Sequence, residues 1–428
     1  MTPDAGRCGP DAAPDARHDA AGEGSDGPRW ATRLASVAQR PAADDGPAGA
    51  SPKRQRELAV RRALGELSTI VVKVGSSSIT HHGRLADEKI ARLCAQVLAA
   101  MRQGRRVILV TSGAIVAGLA QMHLDKRPRS LPMKQAMAAL GQGLLMERYQ
   151  RFFSAHGQAI GQVLLTPRDV GDRRHYLNAR NTLNALLDLG ALPIVNENDT
   201  VATDEIKFGD NDQLSALVAN LIGAELLVIL SDVGGLYPRD PRTHPESHVI
   251  SFIERIDDSV LKMAGGATIG VGGMITKVQA AQIATQAGCA VVITDAGEPQ
   301  ALEKILEGRR LGTLFAPQTE GAKPTSRKRW MAAGLSSVGS VLIDAGACRA
   351  LLAQGRSLLP VGVTGVEGAF EAGDLVTLVG PDGASIGRGL TNYSSAQLAQ
   401  IRGKRTNELG DDYDFDEVIH RNNLVLWQ

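Results

Sequence analysis

Between Thr69 and Leu306 the chain alternates short, nearly continuous apolar runs with stretches whose apolar residues recur every three or four positions. Ile70-Val-Val-Lys-Val74, the run from Val107 to Ser112, Gly161–Leu165, Leu192-Pro-Ile-Val195, Leu226 to Asp232 and Ala290–Thr294 read as buried strands. Ile90, Leu93, Cys94, Val97, Leu98 and Met101 line one face of a helix that Gly104 ends. Helical patterns also run through Ala120, from Met133 to about His156, from Tyr176 to Leu189, from Leu214 to Ile222, up to Ala287, and from Leu302 to Leu306. Apolar strands alternating with helices predict a mostly parallel sheet covered on both faces. The fold class is α/β.

The flanks have a different texture. Residues 1–66 are rich in Ala, Pro, Asp, Gly and Arg, and few large apolar residues occur outside Trp30 to Val37. Such a segment buries too little surface to offset its ordering entropy, so disorder is expected, with a short helix at Glu57 to Leu67 leading into the first strand. Removing residues 1–60 is expected to change nothing. The first methionine after Met1 is Met101, so a non-Met start near Val60 stays open. A domain at 67–318 is followed by a polar, basic linker at 319–337 with Lys323, Arg327, Lys328 and Arg329. From 338 to 428 the pattern turns to short strands (Val341-Leu-Ile, Ser357-Leu-Leu-Pro-Val, Leu375-Val-Thr-Leu-Val, Ser385-Ile-Gly-Arg) around one helix, Ala345 to Gln354.

Composition narrows the function classes. The net charge of +1 over 428 residues gives no global case for nucleic acid or membrane surfaces. Four scattered cysteines with no CxxC pair argue against a zinc site or disulfide framework and fit a reducing cytoplasm. No apolar run reaches the length of a membrane span.

Candidate chemistry sits where the strands end. Val195 to Asp212 carries Asn196, Glu197, Asn198, Asp199, Asp210, Asn211 and Asp212 between a buried strand and a helix, where open α/β sheets bind ligands. Carboxylates there can hold an ammonium group, or order lysines and a metal ion. No Walker A loop or GxGxxG fingerprint occurs. Gly270-Val-Gly-Gly-Met-Ile-Thr-Lys277 is instead a glycine-rich loop opening a helix, where free N–H groups favour an anion. Lys73 interrupts a buried strand, and an unpaired buried charge is costly. Two lysines facing one another suit phosphoryl transfer.

Lys73-Val-Gly-Ser-Ser, Val110-Thr-Ser-Gly-Ala114, Val195-Asn-Glu-Asn-Asp199, Gly209-Asp-Asn-Asp212, Ser231-Asp232 and Gly272-Gly-Met-Ile-Thr-Lys277, in that order, closely resemble the glutamate 5-kinases of the amino acid kinase family. The resemblance runs from about Thr69 to the C-terminus, including Val418-Ile-His-Arg421. It implies a three-layer αβα sandwich followed by a C-terminal PUA domain. It also implies transfer of the γ-phosphoryl of ATP, with Mg²⁺, to the side-chain carboxylate of L-glutamate, the first step of proline synthesis, in a cytoplasmic homo-oligomer inhibited by L-proline. Carried over by motif, Lys73, Ser231, Asp232, Val271, Gly272, Gly273, Met274, Ile275, Thr276 and Lys277 contact ATP. Ser112, Asp199 and Asn211 hold glutamate, Asp199 taking the ammonium while Ser112 and Asn211 donate to carboxylate oxygens. Lys73 and Lys277 offset charge in the transition state, and Asp212 orders them. No protein metal ligand is implied.

Two departures stand out. Val271 replaces the family's usual Thr, which removes one hydroxyl from the ATP site, and the N-terminal extension has no family counterpart. PUA domains bind RNA in modification enzymes. Here Arg388, Arg402, Lys404 and Arg405 are followed at once by Asp411, Asp412, Asp414, Asp416 and Glu417, which favours a charge-mixed surface over an RNA-binding one. A kinase for an N-acylated substrate would not need Asp199, and a non-catalytic RNA binder would not need Lys73, Asp212 and Lys277 together.

Overall fold

The alternation of apolar residues along each strand decides the layering. In the computed structural model, which describes residues 51–166, 169–170, 173–202, 210–266, 273–318, 337–405, 408 and 415–427, the first apolar run becomes β1 (Thr69–Val74), buried from Ile70 onward. A small hairpin, β2 (Thr80–His81) with β3 (Arg84–Leu85), follows it. The remaining strands of the larger unit are β4 (Arg106–Val110), β5 (Ile160–Leu165), β6 (Leu192–Glu197), β7 (Leu226–Ser231), β8 (Phe252–Ile253), β9 (Ala290–Asp295) and β10 (Thr313–Phe315). They form one eight-stranded sheet in the order β5-β6-β4-β1-β7-β9-β10-β8. Every pairing is parallel except β9 with β10. β8 and β10 are absent from the sequence reading because runs this short carry no measurable period.

Helices cover both faces: α1 (Pro52–Ala63), α2 (Asp87–Arg102), α3 (Ala114–Gln121), α4 (Leu131–Ser154), α5 (Arg173–Asp188), α6 (Asp210–Ile222) and α7 (Met274–Gln286). Ile70, Val72, Leu109 and Val228 pack with Ile90, Leu93 and Val97 of α2 and with Leu145, Tyr149 and Phe153 of α4. Their strand neighbours Val71, Ile108, Val110 and Leu227 pack on the opposite side with Leu214 and Leu217 of α6 and Val278 and Ala281 of α7. Period two in the strands and 3.6 in the helices thus produce the expected αβα sandwich.

The expected disorder of residues 1–66 is corrected for its last part. Residues 52–66 are helical: α1 runs on into a 3₁₀ turn, Leu64–Glu66. Val60, Leu64 and Leu67 enter the core, and Arg61 is 1% exposed. The Arg61 guanidinium donates to Glu57 Oε1 at 3.0 Å, to the carbonyls of Arg309 and Leu311 at 3.1 and 3.2 Å, and to that of Ser251 at 2.8 Å. Charges that look solvated in a sequence are here the anchor. Residues 1–50, and the expectation of disorder there, lie outside the described residues.

The C-terminal unit is a second sheet. It comprises β11 (Gly339–Ile343), α8 (Ala345–Gln354), β12 (Val363–Gly368), β13 (Leu375–Val379), β14 (Ser385–Leu390), α9 (Ser395–Ile401) and β15 (Leu424–Leu426). The strand order is β12-β11-β13-β14-β15. The strand expected over 357–361 is not formed. Leu358 makes only an isolated bridge to Ile419, and Pro360–Gly362 is a 3₁₀ turn, since Pro360 has no N–H for a ladder. The linker at 319–336 lies outside the described residues. Among the described residues no helix is long and apolar enough to cross a membrane.

Candidate active site

Parallel strands deliver their carboxyl ends to one side of the sheet, and the chemistry gathers there. Lys73 stands near the end of β1, Ser112 just beyond β4, Asn196 and Glu197 at the end of β6, and Ser231 with Asp232 at the end of β7. All of them, with Asp199, Asn211, Asp212 and Lys277, line a single cleft of about 770 Å³. Met274, Ile275, Thr276 and Lys277 form the first turn of α7, so Lys277 belongs to a helix and not to the preceding loop. Gly273 is its N-cap. Val271 and Gly272 lie outside the described residues.

At the cleft floor a fully buried carboxylate joins the two lysines. Lys73 Nζ lies 2.5 Å from Asp212 Oδ1, and Lys277 Nζ donates to Asp212 Oδ2 at 3.2 Å. Thr276 Oγ1 donates to the same Oδ2 at 2.8 Å. Burial alone would push the Asp212 carboxyl up, but the two ammonium groups and the hydrogen bonds from Lys73 and Thr276 outweigh it and hold the carboxyl below its ordinary value. Burial lowers Lys73; Asp212 opposes that shift and Lys277 adds to it. With both ammoniums protonated the cluster carries one surplus positive charge, directed at the cleft. That charge is suited to a phosphoryl group in transit.

Beside it runs a chain of side-chain hydrogen bonds. Asn211 Nδ2 donates to the Thr111 carbonyl at 2.9 Å, to Ser112 Oγ at 2.8 Å and to Asn196 Oδ1 at 3.0 Å. Asn196 Oδ1 also accepts the Glu197 N–H at 2.9 Å, and Asn196 Nδ2 donates to Gln142 Oε1 on α4 at 2.8 Å. In this structure the amide hydrogens of Asn211 are thus engaged within the protein. Ser112 Oγ accepts from Asn211, which leaves its own hydrogen as the donor. Asp199, half-buried, faces the same cleft.

Two glycines seat the Ser112 turn. A Cβ on Gly141 of α4 would stand 1.8 Å from the Ala114 carbonyl oxygen, and one on Gly118 of α3 would stand 2.0 Å from that of Met137. Only hydrogen at both positions lets α3 lie this close to α4, and Gly113, at φ 107°, makes the left-handed turn between Ser112 and α3. Tyr149 of α4 meets the same turn, its hydroxyl 2.7 Å from Thr111 Oγ1.

Four basic residues at the cleft escaped the sequence reading: His82 and Arg84 from the β2–β3 hairpin, and His123 and Arg127 after α3. His82 and His123 both hold positive φ, 46° and 54°. Single basic residues in loops give no periodic or motif signal, so only their convergence in space exposes them.

The profile of the amino acid kinase family matches residues 68–295 and that of the PUA domain residues 339–411. The chain belongs to the amino acid kinase family. Among its curated relatives, the glutamate 5-kinase of Moorella thermoacetica is 46% identical over 376 residues, covering 86% of this chain and 99% of its own. The glutamate 5-kinase of Gloeobacter violaceus is 48% identical over 364 residues, covering 83% and 98%. The 226-to-231 strand of this amino acid kinase ends at Ser231, whose hydroxyl donates to Asp232 Oδ1 at 3.1 Å. Being a kinase, it is a phosphotransferase.

Proposed function

We propose that this kinase transfers the γ-phosphoryl of ATP to the side-chain carboxylate of L-glutamate, forming L-glutamyl 5-phosphate for proline synthesis. The observation that carries the proposal is the buried Lys73–Asp212–Lys277 cluster placed in one cleft with Ser112, Asn211 and Asp199. In this reading Ser231, Asp232 and residues 271–277, including the N-terminal turn of α7, take ATP. Ser112 donates its hydroxyl to a glutamate carboxylate, Asn211 holds Ser112 in place, and Asp199 takes the ammonium. A side-chain carboxylate is already ionised, so the reaction needs no general base. It does need compensation for bringing one anion onto another, and Lys73 and Lys277 supply it.

A magnesium ion, when bound with ATP, neutralises phosphate charge. Among the described residues no cluster of three or more His, Cys, Asp or Glu is present, and both Asp212 oxygens already engage lysine or threonine. The nucleotide phosphates would be its principal ligands, with Asp232 the exposed cleft carboxylate able to share it. L-Proline carries the same carboxylate and an ammonium, and competes with glutamate for Ser112 and Asp199.

Purified enzyme with ATP, Mg²⁺ and glutamate, its acyl phosphate trapped by hydroxylamine, tests the reading. Hydroxamate is expected with glutamate far above aspartate or N-acetylglutamate. Equal turnover of N-acetylglutamate sinks it, because an acylated nitrogen gives Asp199 no cation to bind.

A further inference from the structure

The hydrogen-bond chain behind the cleft has a direction, and main-chain groups set it. The Thr111 carbonyl can only accept, so the Asn211 atom facing it is the amide nitrogen. The Glu197 N–H can only donate, so the Asn196 atom facing it is the oxygen. Asn196 Nδ2 must then point to an acceptor, and Gln142 Oε1 is that acceptor at 2.8 Å. From Asn211 the polarity continues outward, its Nδ2 donating to Ser112 Oγ. Reversed, the chain would consume the Ser112 hydrogen internally. As built, it leaves the hydroxyl free to donate into the cleft.

We infer that Gln142 is a positioning residue for glutamate binding, its Oε1 clamping Asn196 and through it the Asn211–Ser112 pair. The inference rests on the reading that Ser112 meets a substrate carboxylate. Two further observations support it. Gln142 Nε2 is buried and has no hydrogen-bond partner among the described residues, so within them the side chain serves only as an acceptor. An unmet buried donor lowers stability, and a purely structural role at this site would be better served by an apolar side chain. In addition, Gln142 follows Gly141, whose missing Cβ lets α4 approach the Ala114 carbonyl. The helix contact that seats the Ser112 turn therefore also sets the depth of the clamp.

Gln142→Met keeps the length and removes the acceptor, whereas Gln142→Glu keeps an acceptor oxygen. Q142M is expected to raise the KM for glutamate about tenfold, the scale of one hydrogen bond to a charged group. Its kcat and its KM for ATP should stay within about twofold of wild type and its melting temperature should not fall. Q142E is expected to return the glutamate KM to within about threefold of wild type. The wild type assayed alongside separates the two ideas: no hydroxamate from wild type and glutamate overturns the substrate reading itself. Given an active wild type, equal glutamate KM values in Q142M and Q142E overturn the clamp. So does a Q142M protein too unstable to assay, because the side chain would then be structural.

Discussion

Lys73 Nζ lies 2.5 Å from Oδ1 of Asp212, and the two side chains are 5% and 1% exposed. A buried ion pair of this kind is weak support for stability, because desolvation offsets most of the attraction. Here a second ammonium, Lys277, shares the same anion, so the cluster is organised around charge in the cleft and not around pairing.

Asp212→Asn should therefore damage both properties. It leaves two lysines buried without an anion, a loss of about 3–5 kcal/mol by the usual effect of breaking a buried pair. Calorimetry should show a lowered melting temperature, and turnover should fall by at least about a hundredfold as the lysines lose their geometry. An unchanged melting temperature would mean that the lysines find other partners.

The cleft residues should divide by kinetic signature. Lys73→Ala and Lys277→Ala act on charge that develops during transfer, so each should lower kcat by about two to four orders of magnitude. In the proposed reading Asp199 meets an ammonium that does not change during the reaction, so Asp199→Ala should mainly raise the KM for glutamate. Steady-state kinetics with either substrate varied makes the comparison, and loss of kcat in Asp199→Ala would move that residue into the chemistry.

The pH profile should carry the mark of Lys73. Burial lowers its pKa below the ordinary 10.5, so its proton leaves earlier as pH rises. In the proposed mechanism the charged form serves, hence activity should be full below the shifted pKa and lost as pH climbs through it. The alkaline limb of kcat/KM for ATP, which reports the free enzyme, is expected below pH 10.5. A limb at or above the ordinary lysine value would place Lys73 outside the titrating group.

Removing residues 1–60 should destabilise the protein, contrary to what composition suggests. The cut takes Glu57 and Val60 from α1 and leaves the Arg61 guanidinium without its carboxylate. A loss of about 3 kcal/mol is expected, read as a lowered melting temperature. Glu57→Gln tests the ion pair with the helix kept. If both proteins melt with the wild type, α1 contributes nothing to the core.

Periodicity along the chain was sufficient for the sandwich, because alternation in strands and the three-to-four spacing in helices are local records of which faces are buried. Ordered motifs were sufficient for the family and for the candidate residues Lys73, Ser112, Asp199, Asn211, Asp212 and Lys277. Strands as short as β8 and β10 contain less than one reliable period, and the Ser357–Val361 run looked like a strand until its proline and its single bridge decided otherwise. The order of the segment around Arg61 was not legible because its acceptors, the carbonyls of Ser251, Arg309 and Leu311, are close only after the chain has folded. The same limit applies at the cleft. Residue identity showed that Asn211 could donate or accept, but its direction depends on the Thr111 carbonyl, the Glu197 N–H behind Asn196 and the Gln142 clamp. Those groups come from three separate segments of the chain, so their hydrogen bonds exist only in the assembled fold.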